Sequence, residues 1–301
     1  SVLPHLRQVN DRMRIALSIA GSDSIAGAGV QADLKTFAAL GVYGVSALTA
    51  VTSQNTTGVA DVCALSPELV RSQIEQVVQD VELSAVKTGM LATAEIVQIV
   101  ADAMSRLQRP NLVVDPVMAA TIPGRRTLLA PAAVSTLKTV LLPLASVVTP
   151  NVAEATALSG VRVDSLGTAR EAARRIFELG PAAVVVKGGH LTGADAIDVL
   201  FHAGTFTEFA APRSSIGAVH GTGCTFASAV AAGLALGDDI PAAVQRAKQY
   251  VTGAIGQSFE IGRGALEDRE DRVHRPQRGP KDRAARGGEL ATVEGGVRLA
   301  D

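Results

Sequence analysis

Residues 14–40 read RIALSIAGSDSIAGAGVQADLKTFAAL. The first seven form a β-type apolar run, glycines at 21, 27 and 29 break it, and from Val30 onward apolar residues recur at helical spacing. A strand passing into a helix through a glycine-rich turn is the unit of a parallel sheet, because parallel neighbours need a long crossover and a helix supplies it. The unit repeats outward. Further β-type runs stand at 84–90 (SAVKTGM), 111–117 (NLVVDPV), 145–151 (ASVVTPN) and 182–189 (AAVVVKGG). Between the runs lie VQADLKTFAAL, PELVRSQIEQVVQDV, TAEIVQIVADAMSRL, PAAVSTLKTVLLPL and TAREAARRIFELG, each with one apolar face of helical period. The expectation is an α/β domain whose mostly parallel sheet is covered by helices on both faces. At 196–212 the pattern changes to two apolar runs around Gly204, an antiparallel hairpin on one edge, and helices near 222–236 and 241–260 close the domain.

The chain has 301 residues, 47% hydrophobic and 19% charged, with no Trp and a formal net charge of -1. That is an aliphatic globular composition without the global field that recruits nucleic acid or an anionic membrane, so small-molecule partners are expected. Cys63 and Cys224 make neither a disulfide framework nor zinc spacing, which fits a reducing cytoplasm. Residues 1–13 read as a polar N-terminal extension without the apolar segment of a signal peptide, and no apolar run reaches the roughly 18 residues of a membrane span. Residues 14–264 carry the domain. Residues 265–301 are charged and Gly-rich, lack an apolar face, and read as a disordered tail.

In open α/β sheets ligands bind beyond the carboxyl ends of the strands. The turn at 21–29 is neither a dinucleotide fingerprint nor a P-loop, but its glycines let backbone approach a ligand and the next helix opens with free N–H groups. Asp115 in VVDPVM, Asn151 and Glu154 in TPNVAEA, and Lys187 in VVVKGGH also stand at strand ends. Each alone has a structural use: Asp115 can cap a turn, Glu154 can favour a helix start, and Lys187 can snorkel. Converging, the two carboxylates and the amide suit a water-retaining Mg²⁺, and the lysine suits phosphate. In HGTGCT (220–225), Gly221 and Gly223 precede a helix and leave the N–H groups of Thr222 to Thr225 as an anion hole for a phosphoryl group in transit. Cys224 sits at that positive end, where its thiol is expected below its ordinary value of about 8.5 and able to take a proton. The alternative for Cys224, and the reading adopted for Cys63, is a small buried hydrophobe.

Taken in order, AGSDSIAGAGVQADLKTF, TAVTSQNTTGV, KTGML, VVDPVM, TPNVAEA, VKGGH and HGTGCT resemble the hydroxymethylpyrimidine/phosphomethylpyrimidine kinases of thiamin biosynthesis, within the ribokinase-like superfamily. The resemblance spans residues 14–264. It implies a ribokinase-like three-layer αβα sandwich, use of ATP and Mg²⁺, two successive phosphorylations of one pyrimidine, and a homodimer. By the same matching Gln54 meets the pyrimidine edge, and Gly21, Met90 and Val117 line its pocket. Lys187, Asn151 and Thr222 serve the nucleotide, Asp115 and Glu154 the metal, and Gly221, Gly223 and Cys224 the anion hole with its base. Sugar kinases of the superfamily carry Asp where Cys224 stands.

Three stretches depart from the family pattern. Ile25 and Ala26 replace small residues or glycine in the first loop. AATIPGRRTLL, with Arg125 and Arg126, stands where the family has Ser-Gly-Asp in a covering loop. IGRG runs into ALEDRED where the family ends Gly-His-Gly-Pro. Two rival readings are a pyridoxal or pyridoxine kinase and a non-catalytic ligand sensor. The sensor reading would expect loss of Lys187 or of the GTGC turn.

Overall fold

The computed structural model describes residues 13–107, 111–119, 128–189, 191, 193–214, 219–264 and 266–267. Strands β1 (Ile15–Ser22), β2 (Tyr43–Asn55), β3 (Gly58–Ala64), β4 (Ala85–Thr88), β5 (Asn111–Val114), β6 (Val147–Val148), β7 (Ala183–Val186), β8 (Asp195–His202) and β9 (Thr205–Pro212) form one sheet. Its order is β3-β2-β1-β4-β5-β6-β7-β8-β9, parallel from β2 through β7 and antiparallel at both ends. The chain leaves β1 toward β2 on one side and returns to β4 on the other, so a crevice opens beyond the ends of β1 and β4.

The central strands are buried on both faces, which is why they read as nearly continuous apolar runs. Leu17, Ile19, Val86, Leu112, Val114 and Val148 pack against α2 (Pro67–Asp80), α3 (Ala94–Arg106), α4 (Pro131–Thr136), α5 (Val152–Ser159) and α6 (Leu166–Phe177). The alternating Ala16, Ala85, Val113, Val147, Ala183 and Val185 pack against α1 (Gly29–Ala39), α7 (Thr222–Leu236) and α8 (Ile240–Gly256). This is the expected three-layer αβα sandwich. Helix α7 is rich in alanine, and its small side chains let it lie directly on β1, β4 and β5.

Several details differ from the sequence expectation. The β2–β3 hairpin is a second antiparallel edge; its Thr, Ser and Asn residues diluted the apolar signal. Cys63 lies exposed rather than buried: it stands on the terminal strand β3, beyond which no further strand pairs among the described residues. The segment PAAVSTLKTVLLPL is not one α-helix: α4 passes into a π turn (Leu137–Leu141) and a 3₁₀ turn (Leu142–Leu144), where Pro143 has no N–H to continue the ladder. The last helix ends at Gly256, not near 260. A short strand β11 (Leu266–Glu267) lies past Gly264 and pairs with β10 (Val219–His220). Residues 1–12, Arg125, Arg126 and the tail from 268 lie outside the described residues. Among the described residues no helix is long and apolar enough to cross a membrane.

Candidate active site

Asp23 organises the loop after β1. It is only 3% exposed; its Oδ1 accepts from Ile25 N (3.0 Å), its Oδ2 from Ala28 N (2.8 Å), and its own N–H donates to Gln31 Oε1 (2.9 Å). Ala26 adopts φ of 63°, a left-handed conformation that glycine takes freely and alanine does not. The departure from glycine there stores backbone strain in the loop.

The HGTGCT turn closes on this loop. Gly221 is the N-cap of α7 with φ of 83°, and no side chain caps the helix. Thr225 N bonds Gly221 O at 2.9 Å, so among the described residues the amides of Thr222, Gly223 and Cys224 are left open, one fewer than the sequence suggested. A Cβ on Gly221 would overlap the carbonyl oxygen of Gly27. Helix α1 also starts without a side-chain cap, so two positive helix ends converge.

Cys224 lies in the first turn of α7, partly buried, with the Gly29 N–H at the start of α1 near its sulfur. Burial nevertheless pushes its thiol up to about 12; Lys87 and the Gly29 N–H pull it down, while Asp115 and Asp33 push it further up. The expected lowering does not occur, because loss of water around the sulfur outweighs the helix ends. The free protein holds Cys224 as a thiol.

Lys187, just past β7, faces the same turn. Its Nζ is 3.0 Å from Asp115 Oδ1, and a Cβ on Gly223 would stand 3.2 Å from it. Burial works against its charge, but Asp115 and Glu154 hold the ammonium above its ordinary range. Asn151 and Glu154 form a reciprocal capping box that opens α5: Asn151 N donates to Glu154 Oε2 (2.8 Å), and Glu154 N to Asn151 Oδ1 (3.0 Å). Glu154 is 6% exposed, and burial pushes its carboxyl up to about 7; Lys187 opposes this and Asp115 adds to it. Two buried carboxylates sharing one lysine are short of positive charge, which is the donor set a hard divalent cation fits. Among the described residues no group of three or more His, Cys, Asp or Glu could hold a metal. Such a cation would depend on phosphate and water for the rest of its shell.

A cavity of about 350 Å³ opens on the α8 side of the turn. Asn151, Lys187, Thr222 and Gly223 line its polar end, Val251 and Ile255 an apolar part, so the three residues expected at the nucleotide meet there. On the other side, a Cβ on Gly21 would come within 2.8 Å of Met90 Cε, and Val117 packs on the same small cluster as Met90. Gln54 approaches from β2, tied to the β1 loop through His220.

Sequence reasoning missed three buried polar groups. Lys87 is fully buried with Nζ 2.8 Å from Asp33 Oδ1, and Ser18 and Ser228 donate to the same carboxylate. Lys248 Nζ lies 2.9 Å from Asp198 Oδ2 beside the cavity, and Asp198 Oδ1 accepts from Gly188 N at 2.8 Å. His220 is the third. The available signal was a charge inside an apolar run, as in SAVKTGM.

Residues 23–267 match the family model described as phosphomethylpyrimidine kinase. The thiamine biosynthesis bifunctional protein of Geobacter sulfurreducens is 47% identical over 264 residues, 85% of this chain and 54% of that protein. This chain therefore spans about half of that relative. The hydroxymethylpyrimidine/phosphomethylpyrimidine kinase of Streptomyces coelicolor is 49% identical over 250 residues, 83% of this chain and 91% of the relative. Among solved structures, the pyridoxal kinase from Staphylococcus aureus in complex with AMP-PCP and pyridoxal superposes with a TM-score of 0.80 at 34% identity, covering 88% of this chain and 96% of that one.

Proposed function

The chain belongs to the phosphomethylpyrimidine kinase family, and we propose that it phosphorylates 4-amino-5-hydroxymethyl-2-methylpyrimidine on its hydroxymethyl oxygen and then phosphorylates the monophosphate, for thiamin biosynthesis. It is an ATP-dependent phosphotransferase. One observation carries the chemistry: the Lys187 ammonium stands against Gly223, beside three open helix amides. That is a donor set aimed where a phosphoryl group carries its charge.

In this reading ATP occupies the cavity with its phosphates toward Asn151, Lys187 and Thr222. The acceptor lies opposite, against Gly21, Met90, Val117 and Gln54. The transferring group passes across the turn, where little covalent help is needed and charge stabilisation dominates. Asp115 and Glu154 would hold Mg²⁺, which supplies charge neutralisation on the phosphate oxygens. Cys224 accepts the proton of the hydroxymethyl group in the first step, as the rare but strongly basic thiolate. A monophosphate acceptor is largely ionised near pH 7 and needs no base.

We further infer a cytoplasmic homodimer. Both cysteines are free, and Tyr43, Val51 and Leu69 expose apolar surface for self-association. Sedimentation of the full chain as a monomer would remove the dimer.

The test of function is the purified protein with ATP, Mg²⁺ and hydroxymethylpyrimidine, the mono- and diphosphate products being separated. Both products are expected. Turnover of pyridoxal with no phosphorylated pyrimidine would transfer the assignment to a pyridoxal kinase.

A further inference from the structure

Three residues from separate parts of the chain meet at one nitrogen. His220 Nε2, on β10, lies 3.0 Å from Asp23 Oδ2 in the β1 loop and 2.9 Å from the side-chain nitrogen position of Gln54 on β2. That nitrogen carries either a hydrogen or a lone pair. Asp23 is 3% and His220 4% exposed, so a carboxylate facing a lone pair at this distance would be an unscreened repulsion. The hydrogen therefore belongs on Nε2, donated to Asp23, and Nδ1 keeps its lone pair. Nδ1 is indeed buried without a partner among the described residues; a lone pair left alone there costs less than an unused N–H.

With its hydrogen on Nε2, His220 cannot accept from an amide NH₂. The carboxamide of Gln54 must turn over, an exchange of two atoms of nearly equal size, and present its oxygen to His220, where it shares the single Nε2 hydrogen with Asp23 in a three-centre bond. A second neighbour requires the same orientation. The Thr52 hydroxyl has one hydrogen, which it gives to Ser22 O at 2.9 Å; the Gln54 atom 3.4 Å from Thr52 Oγ1 must then be the donor NH₂ and not the oxygen.

We infer that His220, held by Asp23 with the proton on Nε2, is a positioning residue that fixes the polarity of the Gln54 amide, acceptor on the His220 side and donor on the Thr52 side. One lone pair and one N–H remain as a directed edge. Resting on the proposal that Gln54 borders the pyrimidine, this edge selects a heteroaromatic ring with an amino group toward His220 and an unprotonated ring nitrogen toward Thr52. It thereby decides which way round the ring lies, and so which substituent faces the Gly221–Cys224 turn.

The test joins spectroscopy to kinetics. In protein labelled with ¹⁵N-histidine, the His220 signals, identified by their loss in His220→Gln, are expected to show Nε2 as the protonated nitrogen and Nδ1 as pyridine-like. His220→Leu is expected to raise KM for hydroxymethylpyrimidine about tenfold or more without changing KM for ATP. His220→Gln, whose NH₂ can reach the Nε2 position, recovers most of the loss. Protonation on Nδ1 overturns the inference, as does unchanged KM in His220→Leu where Gln54→Leu raises it. Unchanged KM in Gln54→Leu instead removes Gln54 from the substrate site, and the nitrogen spectrum still decides the tautomer.

Discussion

Gly221 lies so close to Gly27 that no side chain fits between them: a Cβ on Gly221 would overlap the Gly27 carbonyl oxygen. The turn at the start of α7 is thereby held directly against the loop that follows β1. Gly221 also needs φ of 83°. Gly221→Ala is expected to separate the two loops and lower kcat by about 10²-fold or more, since displacements near 1 Å cost that much in a preorganised site. Steady-state rates checked beside circular dichroism decide it; normal turnover in a folded variant would mean that the contact is unimportant.

Lys87 and Asp33 form a fully buried ion pair between the sheet and helices α1 and α7. Removing one partner strands the other. Lys87→Met is expected to destabilise the protein by about 3–5 kcal/mol, and Lys87→Met combined with Asp33→Leu by clearly less, measured by urea unfolding. Equal stability of the single variant and the wild type would refute the pairing.

Glu154 gives a pH dependence of defined sign. Its carboxyl is raised from 4.5 to about 7 in the folded protein, so the fold binds a proton that the unfolded chain has already released. The stability it contributes is complete below about 4.5 and is lost as pH rises through about 7. Thermal midpoints of wild type relative to Glu154→Gln should therefore fall across that window. A wild-type midpoint that rises relative to Glu154→Gln as pH increases would reverse the sign of the shift.

The chain past Gly264 backs the site. Gly264 N donates to Thr56 Oγ1 at 3.1 Å, and β11 pairs with the strand that carries His220. A chain ending at Glu267 should keep its affinity for the pyrimidine, and one ending at Gly264 should show a raised KM. Identical kinetics would make β11 dispensable.

Legibility followed the strength of local signals. The parallel strands were visible because burial on both faces makes Val113 and Val185 apolar alike with their neighbours. The turn at Gly221 was visible because two glycines ahead of a long apolar run have few other uses. β2 and β3 were not, since β3 is an edge strand and β2 is only partly buried, and neither needs an unbroken apolar run. Lys87, Lys248 and His220 were hidden for another reason: their partners Asp33, Asp198 and Asp23 lie far away in sequence, and only the fold brings them together. The thiol of Cys224 was misjudged because a helix N-terminus is legible in sequence whereas desolvation is not.

The most direct measurement is the single-turnover rate of each phosphorylation against pH, in wild type and in Cys224→Ala. With its thiol pushed up to about 12, Cys224 gains thiolate about tenfold per pH unit through the neutral range. If that thiolate takes the hydroxymethyl proton, the first step should rise with pH in the wild type, and Cys224→Ala should abolish the rise and slow that step by about 10²-fold or more. The second step, whose acceptor is already ionised, should be nearly flat and much less affected. Equal losses in both steps, or a first step without pH dependence, would contradict a base at Cys224 and leave the phosphoryl transfer to Lys187 and the three open amides.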